Sequence, residues 1–329
     1  MMVDLKTTYM GLELRNPVIV GSSGLTATVE SIEEIAKQGA GAVVLKSLFE
    51  EQILMQIDKS MEDMPAAFRY PGAEDHLRYF ERKHAVDEYL TLIRNAKKAV
   101  NIPIIASINC ISSGDWTHFA KEIEAAGADA LELNIFILPS DPDISGEELQ
   151  KRYFTIIKNV RKETSLPVAV KISYYFDAVA GMLQRLSHTG ISGMVLFNRF
   201  YSPDIDLDTE TMISGLPYSH PEDFVMPLRW VGLMYGSVDC DMAATTGIHD
   251  ASTAIKMILA GASAVQMVSA YYLEGTEYIA TVISEMRQWM EEHNYTSIAQ
   301  MKGRLSQGNL REGALYERVQ FIKNFQQQS

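Results

Sequence analysis

Residues 260–268, AGASAVQMV, close a helix, turn on Gly261 and enter a short apolar run. The same phrase recurs at Ala36–Leu45 (AKQGAGAVVL), Ala125–Leu133 (AAGADALEL) and Thr189–Phe197 (TGISGMVLF). Short, continuous apolar runs bounded by glycine or proline read as strands buried on both faces, the pattern of a parallel sheet. Ile102–Ile108 (IPIIASI) and Leu166–Ile172 (LPVAVKI) are launched by proline, which removes no interior ladder donor at the start of a strand. Pro17–Ser22 and Asp239–Ala244 complete a set of eight candidate strands. Helical segments are predicted at Val29–Gln38, Trp116–Ala126, Gly146–Glu163, Asp177–His188, Asp250–Leu259 and Glu277–His293. Strands alternating with helices in this number predict an α/β fold, a closed (β/α)8 TIM barrel in preference to an open doubly wound sheet.

The 329 residues are enough for one barrel with insertions, and no composition shift divides them, so 1–329 reads as a single domain. Leu5–Arg15 alternates around Gly11 and predicts a hairpin in the N-terminal segment 1–16, closing the barrel floor. Two connections exceed ordinary loops, 48–84 after the second strand and 199–238 after the sixth, and both fall on the mouth side. Residues 294–329 read as a C-terminal helical tail. A net charge of −13 argues against a nucleic-acid partner but leaves room for a basic pocket. Met1–Tyr9 has no apolar run of signal-peptide type, and no stretch is long and apolar enough to span a membrane, so a cytoplasmic location is expected. Cys110 and Cys240, the two cysteines, are too few for a disulfide framework or a zinc site, and no metal is expected.

The carboxyl ends of the eight strands converge on the barrel mouth, where this fold places its chemistry. They carry Gly21-Ser22-Ser23-Gly24, Lys46-Ser47, Asn109-Cys110, Asn134, Lys171, Asn198-Arg199, Thr245-Thr246-Gly247 and Val268-Ser269, in strand order. Two lysines and three amides around one opening describe a site for a polar, anionic, hydrogen-bonding ligand. Thr246-Gly247-Ile248-His249-Asp250 leads into a helix that Asp250 can cap, and Val268-Ser269 ends the next strand. Loops after strands seven and eight beside a helix start form the usual phosphate site of such barrels, because free N–H groups and the helix dipole favour an anion.

At these residues the chain resembles the dihydroorotate dehydrogenase family, especially its soluble, single-subunit members. The resemblance rests on Asn16-Pro17…Ser23-Gly24, Lys46-Ser47, Glu132-Leu133-Asn134, Val170-Lys171-Ile172 with Tyr175-Phe176-Asp177, Asn198, Thr246-Gly247-Ile248 and Gln266…Ser269. It implies FMN as cofactor. Ser22, Ser23, Gly24, Lys46, Ser47, Asn109, Asn134, Lys171 and Asn198 would surround the flavin ring and ribityl chain; Thr246, Gly247, Val268 and Ser269 would hold the phosphate. Lys171 would stabilise negative charge on the reduced ring in a low-dielectric site. Lys46, Asn134, Asn198 and Arg199 would face an anionic substrate, Arg199 gripping a carboxylate, and Lys46, Asn134 and Lys171 would be the catalytic set. A homodimer and a second electron acceptor or donor are implied by the same resemblance.

The resemblance breaks on the substrate side. Where the family has Asn-Leu-Ser-Cys-Pro-Asn, this chain has Asn134-Ile135-Phe136-Ile137-Leu138-Pro139, so Ile137 stands at the position of the family's cysteine base. The family's substrate-gripping loop after strand two is absent from Met61–Gly72, and Val268 replaces a phosphate-loop glycine. Cys110, Ser140, Tyr174 and Tyr201 are the candidate substitutes for the base. The expected function is an FMN-dependent oxidoreductase moving hydride between flavin N5 and a CH–CH or C=C bond of an anionic small molecule. The rival readings are an authentic dihydroorotate dehydrogenase of pyrimidine biosynthesis with a relocated base, a flavin-binding protein without turnover, and a phosphosugar barrel without flavin.

Overall fold

The computed structural model of the chain describes residues 3–49, 59, 73–109, 117–199, 203–215, 217–310 and 316–317. Its strands in chain order are β1 (Thr7–Tyr9), β2 (Leu12–Leu14), β3 (Val18–Val20), β4 (Ala42–Val44), β5 (Leu48–Phe49), β6 (Ile104–Asn109), β7 (Ala130–Asn134), β8 (Val168–Ile172), β9 (Gly193–Leu196), β10 (Pro203–Asp206), β11 (Thr211–Ser214), β12 (Asp241–Thr245) and β13 (Ala264–Met267). Parallel pairing runs β4-β3-β13-β12-β9-β8-β7-β6, and β6 pairs back to β4, closing an eight-stranded barrel. Each expected strand segment overlaps one barrel strand. β5 continues the pairing of β4 with β6 at the rim.

The outer layer is α1 (Val29–Lys37), α2 (Ala73–Ala99), α3 (Thr117–Ala126), α4 (Gly146–Glu163), α5 (Val179–Ser187), α6 (Val225–Met234), α7 (Ala251–Ala260), the short α8 (Ser269–Glu274) and α9 (Tyr278–Glu292), followed by a single turn, α10 (Ile298–Met301). Local capping explains several starts. Thr28, Ser145 and Asp250 each accept a backbone N–H from the first turn of α1, α4 and α7.

Two outer helices fall in segments whose sequence reads as long connections. α2 begins inside 48–84, of which 50–58 and 60–72 lie outside the described residues. The segment 199–238 holds an antiparallel ribbon, β10 with β11, and then α6, which buries Val231 and Met234 as the barrel's sixth outer helix. Within 294–329 the described residues hold α10 and a 3-10 turn at Gln307–Asn309, while 311–315 and 318–329 lie outside them.

The barrel interior is a core of its own. Ile19, Ala42, Val44, Ile105, Ala130, Ala169, Val195, Ala243 and Ala264 pack with Tyr9, Met10 and Leu14. The last three come from the β1–β2 hairpin, turned on Met10 and Gly11 with positive φ, so the hairpin plugs the amino-terminal end. Small side chains in the lumen leave space for the hairpin's large ones, an interdigitation that keeps packing dense. Gly193 is where the fit is tightest: a Cβ there would lie 2.9 Å from Met10 Cγ and 3.2 Å from the Tyr9 ring. Gly193→Val is therefore expected to destabilise the fold by about 1–3 kcal/mol through overpacking; a chemical-denaturation midpoint equal to the parent's would show that the plug is loose.

Candidate active site

Because side chains alternate along a strand, the lumen residues fix what stands above them. Two residues beyond Val44, Ala130, Ala169 and Ala264 come Lys46, Glu132, Lys171 and Gln266; Ser107 and Asn109 follow Ile105, Asn134 follows Glu132, and Gly21 follows Ile19. Cross-strand register aligns Asn109 with Asn134 and Asn134 with Lys171. Two residues lower on those strands, one full side-chain period, Ser107 aligns with Glu132. The lumen thus changes from apolar at the floor to polar at the mouth.

Asn134 and Asn198 are joined directly, Asn198 Nδ2 donating to Asn134 Oδ1. Asn198 N also donates to Ile172 O at 2.8 Å, which seats the residue after β9 against β8, and the Leu196–Phe197 peptide before it is cis. The side-chain pair leaves Asn134 Nδ2 as a donor and Asn198 Oδ1 as an acceptor for a ligand. Asn109 is buried and its Oδ1 has no partner among the described residues, an acceptor that a ligand donor can satisfy. Lys171 is half-buried beside them.

A cavity of about 190 Å³ opens between Lys171, Asn198, Thr246-Gly247 and Val268-Ser269, with Ser22 on its far wall. Thr246 and Gly247 both have positive φ, 76° and 74°, so the chain turns sharply there, and both residues line the cavity. Thr246 Oγ1 holds the turn by donating to Phe197 O at 2.9 Å. A Cβ on Gly247 would sit 2.2 Å from Phe224 N, so glycine is required. Val268, the substituted phosphate-loop position, lays its Cγ2 where a Cβ on Gly21 would come within 2.9 Å; the glycine opposite makes room for it. Small residues, a sharply turned loop and a cationic side chain around the cavity fit the phosphate and polar chain of a nucleotide-like cofactor.

Ser219, which the sequence did not single out, completes this wall. Ser219, from the segment between β11 and α6, donates its backbone N–H to Ser269 Oγ at 3.0 Å and its hydroxyl to the same atom at 3.1 Å. Its Oγ also shares a hydrogen bond with His249 Nε2 at 3.0 Å. Burial holds His249 below the ordinary histidine range, so this hydrogen bond is made by a neutral ring at neutral pH. Arg199 donates to Pro217 O at 3.1 Å and lies 3.8 Å from Asp223, so the guanidinium assigned to a substrate carboxylate also anchors the 203–224 segment across the mouth.

The remaining sequence candidates divide. Ser22, Ser47 and Ser107 form a hydroxyl chain across three strands, 3.0 Å and 2.6 Å between successive oxygens, and Ser47 is buried within it. Ser23 accepts from Leu25 N and donates to Gly21 O, capping the turn at Gly24 rather than lining the cavity. Lys46 is exposed and faces a separate cavity of about 670 Å³ with Ser47 and Tyr89. Ile137 packs on the core, and its backbone N–H donates to the Tyr153 hydroxyl. Cys110 and Tyr201 lie outside the described residues. Cys240, away from the mouth, has its thiol pushed up to about 12 by burial, so it stays a thiol. Tyr174 lines a third cavity, about 700 Å³, that shares Asn198, Arg199 and Thr246 with the first.

A closed barrel with a tight cradle at the ends of β12 and β13 and an arc of amides and lysine at the ends of β6 to β9 defines a nucleotide-cofactor enzyme of the TIM-barrel class. The family model described as dihydroorotate dehydrogenase matches residues 4–290, and the chain belongs to that family. It is a flavin-dependent oxidoreductase acting on a CH–CH group, with FMN as its cofactor. The catalytic subunit of dihydroorotate dehydrogenase B (NAD(+)) from Methanocaldococcus jannaschii is 25% identical over 312 residues, 89% of this chain and 95% of that protein. Those of Thermoplasma acidophilum and Pyrococcus furiosus are 24% and 25% identical, each over 92% of this chain and 99% and 98% of theirs. No helix among the described residues is long and apolar enough to cross a membrane.

Gly247→Ala tests the cradle. A left-handed alanine costs about 1–2 kcal/mol before the clash with Phe224 is counted, so FMN affinity is expected to fall at least about tenfold. Equal FMN dissociation constants for variant and parent, by fluorescence titration, would remove Thr246-Gly247 from the phosphate site.

Proposed function

We propose that this chain moves a hydride between flavin N5 and a CH–CH or C=C bond of an anionic small molecule, with a second small molecule or partner exchanging electrons in a separate half-reaction. The observation that carries the reading is the Asn109–Asn134–Lys171 level of the barrel, joined through Asn198 to the cavity that ends at Gly247 and Ser269. FMN supplies the hydride chemistry when bound. Thr246, Gly247, Val268 and Ser269 hold its phosphate; Ser22, Asn109, Asn134 and Lys171 meet the ring and polar chain, with the Lys171 ammonium favouring negative charge there. Arg199 and Asn198 face the substrate's anionic and polar groups.

The proton needs a separate carrier, since Ile137 has no group to hold one. Tyr174 is favoured: it borders the cavity at Asn198 and Arg199, with its ring edge-on to Phe197, centroids 5.7 Å apart. Burial and its hydrogen bond with Tyr175 raise its hydroxyl above the ordinary phenol range, so Tyr174 is a donor at neutral pH. Such a donor suits reduction of a C=C bond, in which one carbon would receive the hydride and the neighbouring carbon, as the π bond is lost, the proton from Tyr174.

A second reading is dihydroorotate oxidation itself, favoured by the names of the relatives. Anaerobic stopped-flow separates the two. Slow bleaching of the bound flavin by dihydroorotate supports the first, and bleaching at a catalytic rate establishes the second. Tyr174→Phe is expected to slow re-oxidation of the reduced flavin by an enoic acid substrate about 10²–10⁴-fold with FMN content unchanged; an unchanged rate would remove Tyr174 from the reaction. Lys171→Ala is expected to weaken FMN binding and lower the flavin's midpoint potential, and a variant matching the parent in both would cancel the role given to Lys171.

A further inference from the structure

Glu132 and Gln266 stand in the lumen one side-chain layer below the mouth, on strands β7 and β13 from opposite walls, each 1% exposed. Gln266 Nε2 donates to Glu132 Oε2 at 2.5 Å. The other oxygen of each group, Glu132 Oε1 and Gln266 Oε1, has no hydrogen-bond partner among the described residues. Two acceptors left without a donor, one on each partner of a hydrogen-bonded pair, are what an amide and a carboxylate leave when the second rung between them lacks its proton. A single proton on Glu132 Oε1, shared with Gln266 Oε1, would satisfy both and close a two-bonded acid–amide ring. The alternative, an anion with one bare oxygen at this depth, carries a desolvation cost of several kcal/mol.

We infer that Glu132 keeps its proton and closes an acid–amide pair with Gln266 across the barrel, so that it does not neutralise the Lys171 ammonium at the mouth. The groups that face Glu132 agree. Lys171, diagonal to it on β8, is the cation whose attraction would favour ionisation, and burial outweighs that attraction, holding the carboxyl above its ordinary range. Tyr9 from the floor hairpin and Tyr89 from α2 are also buried and raised, so both stay neutral. The Tyr9 hydroxyl has no partner among the described residues and does not serve Glu132 as a donor. Glu132 is thus a positioning residue. It spans the lumen by hydrogen bonds while leaving the positive field of Lys171 uncancelled for the cofactor. This consequence rests on the FMN reading; the acid–amide pair does not.

The experiment uses the full chain and begins without added flavin. The infrared spectrum of the parent minus Glu132→Gln should show the carbonyl band of a protonated carboxylic acid across neutral pH; carboxylate bands in its place would overturn the inference. Melting temperatures against pH give a second readout. A carboxyl raised in the folded state contributes stability that is full below the ordinary glutamate range and is lost as pH rises towards its folded-state value. Glu132→Gln, which can form the same two-bonded ring, escapes that loss, so its margin over the parent should widen as pH rises above the ordinary glutamate range. A margin independent of pH would contradict the pair. In the FMN-loaded protein the midpoint potential of Glu132→Gln should equal the parent's, whereas a positive shift would mean that an anion had been removed. A chain that binds no FMN would sink the cofactor reading while leaving the infrared and melting tests of the pair intact.

Discussion

The mouth depends on one register. β6, β7 and β8 are paired so that Asn109, Asn134 and Lys171 lie level. A slip of a single residue in any of these strands would turn its polar group out of the lumen and an apolar one in. The register is secured from below, where the alanines, Ile105, Val195 and the hairpin side chains fill the lumen as a separate core. From the side, Lys97 of α2 bonds Asp129, which in turn accepts from Ile104 N, fixing the starts of β6 and β7 together. The floor is therefore a condition of the site: it sets the height at which each strand delivers its amide or ammonium.

Above that level, rigidity comes from pairs of residues that fit one another. Gly21 accommodates Val268, Gly247 accommodates the backbone at Phe224, and Asn198 locks onto Asn134. The segment before α6 is drawn over the cradle by Ser219 and Arg199, both of which also line it. Another part of the mouth is apolar. Ile137 and Pro139 carry no side chain for proton transfer or hydrogen bonding, and the cavity that Leu138 borders between them is also bordered by Tyr174 and Met226. Loops at a barrel mouth can change without disturbing the strands, so the wall over one set of strands can vary independently of the other.

Much of this was legible in the sequence because strands buried on both faces announce themselves. AGASAVQMV or LPVAVKI has no solvent face to confuse the pattern, and every barrel strand overlaps a candidate segment, three of them running one residue past it at Asn109, Asn134 and Thr245. The helices that escaped did so for physical reasons. α2 is rich in charge and weakly amphipathic, and α6 (VMPLRWVGLM) is apolar nearly all round and carries Pro227, so neither shows a clear helical period. At the site, the strand-end rule located Asn109, Asn134, Lys171 and Asn198, but it could not separate lining from capping. Ser23 spends its hydroxyl on its own turn, and Lys46 faces another cavity. Glu132 and Gln266 were visible only as letters in matched stretches. Their signal was a carboxyl and an amide inside otherwise apolar strands, which becomes informative once alternation shows that both point into the same lumen. Ser219 had no local signal, because its role is set by a loop folding back from the far side of the chain.

The central claim is that the polar level over β6, β7 and β8 and the cradle at Gly247 and Ser269 together bind FMN. The most direct measurement is the flavin content of the purified chain: its visible absorption, then the identity and amount of flavin released on heating. The account predicts stoichiometric FMN, retained through gel filtration and distinct from riboflavin or FAD. A chain that stays colourless after incubation with excess FMN and passes through gel filtration without it would contradict the account.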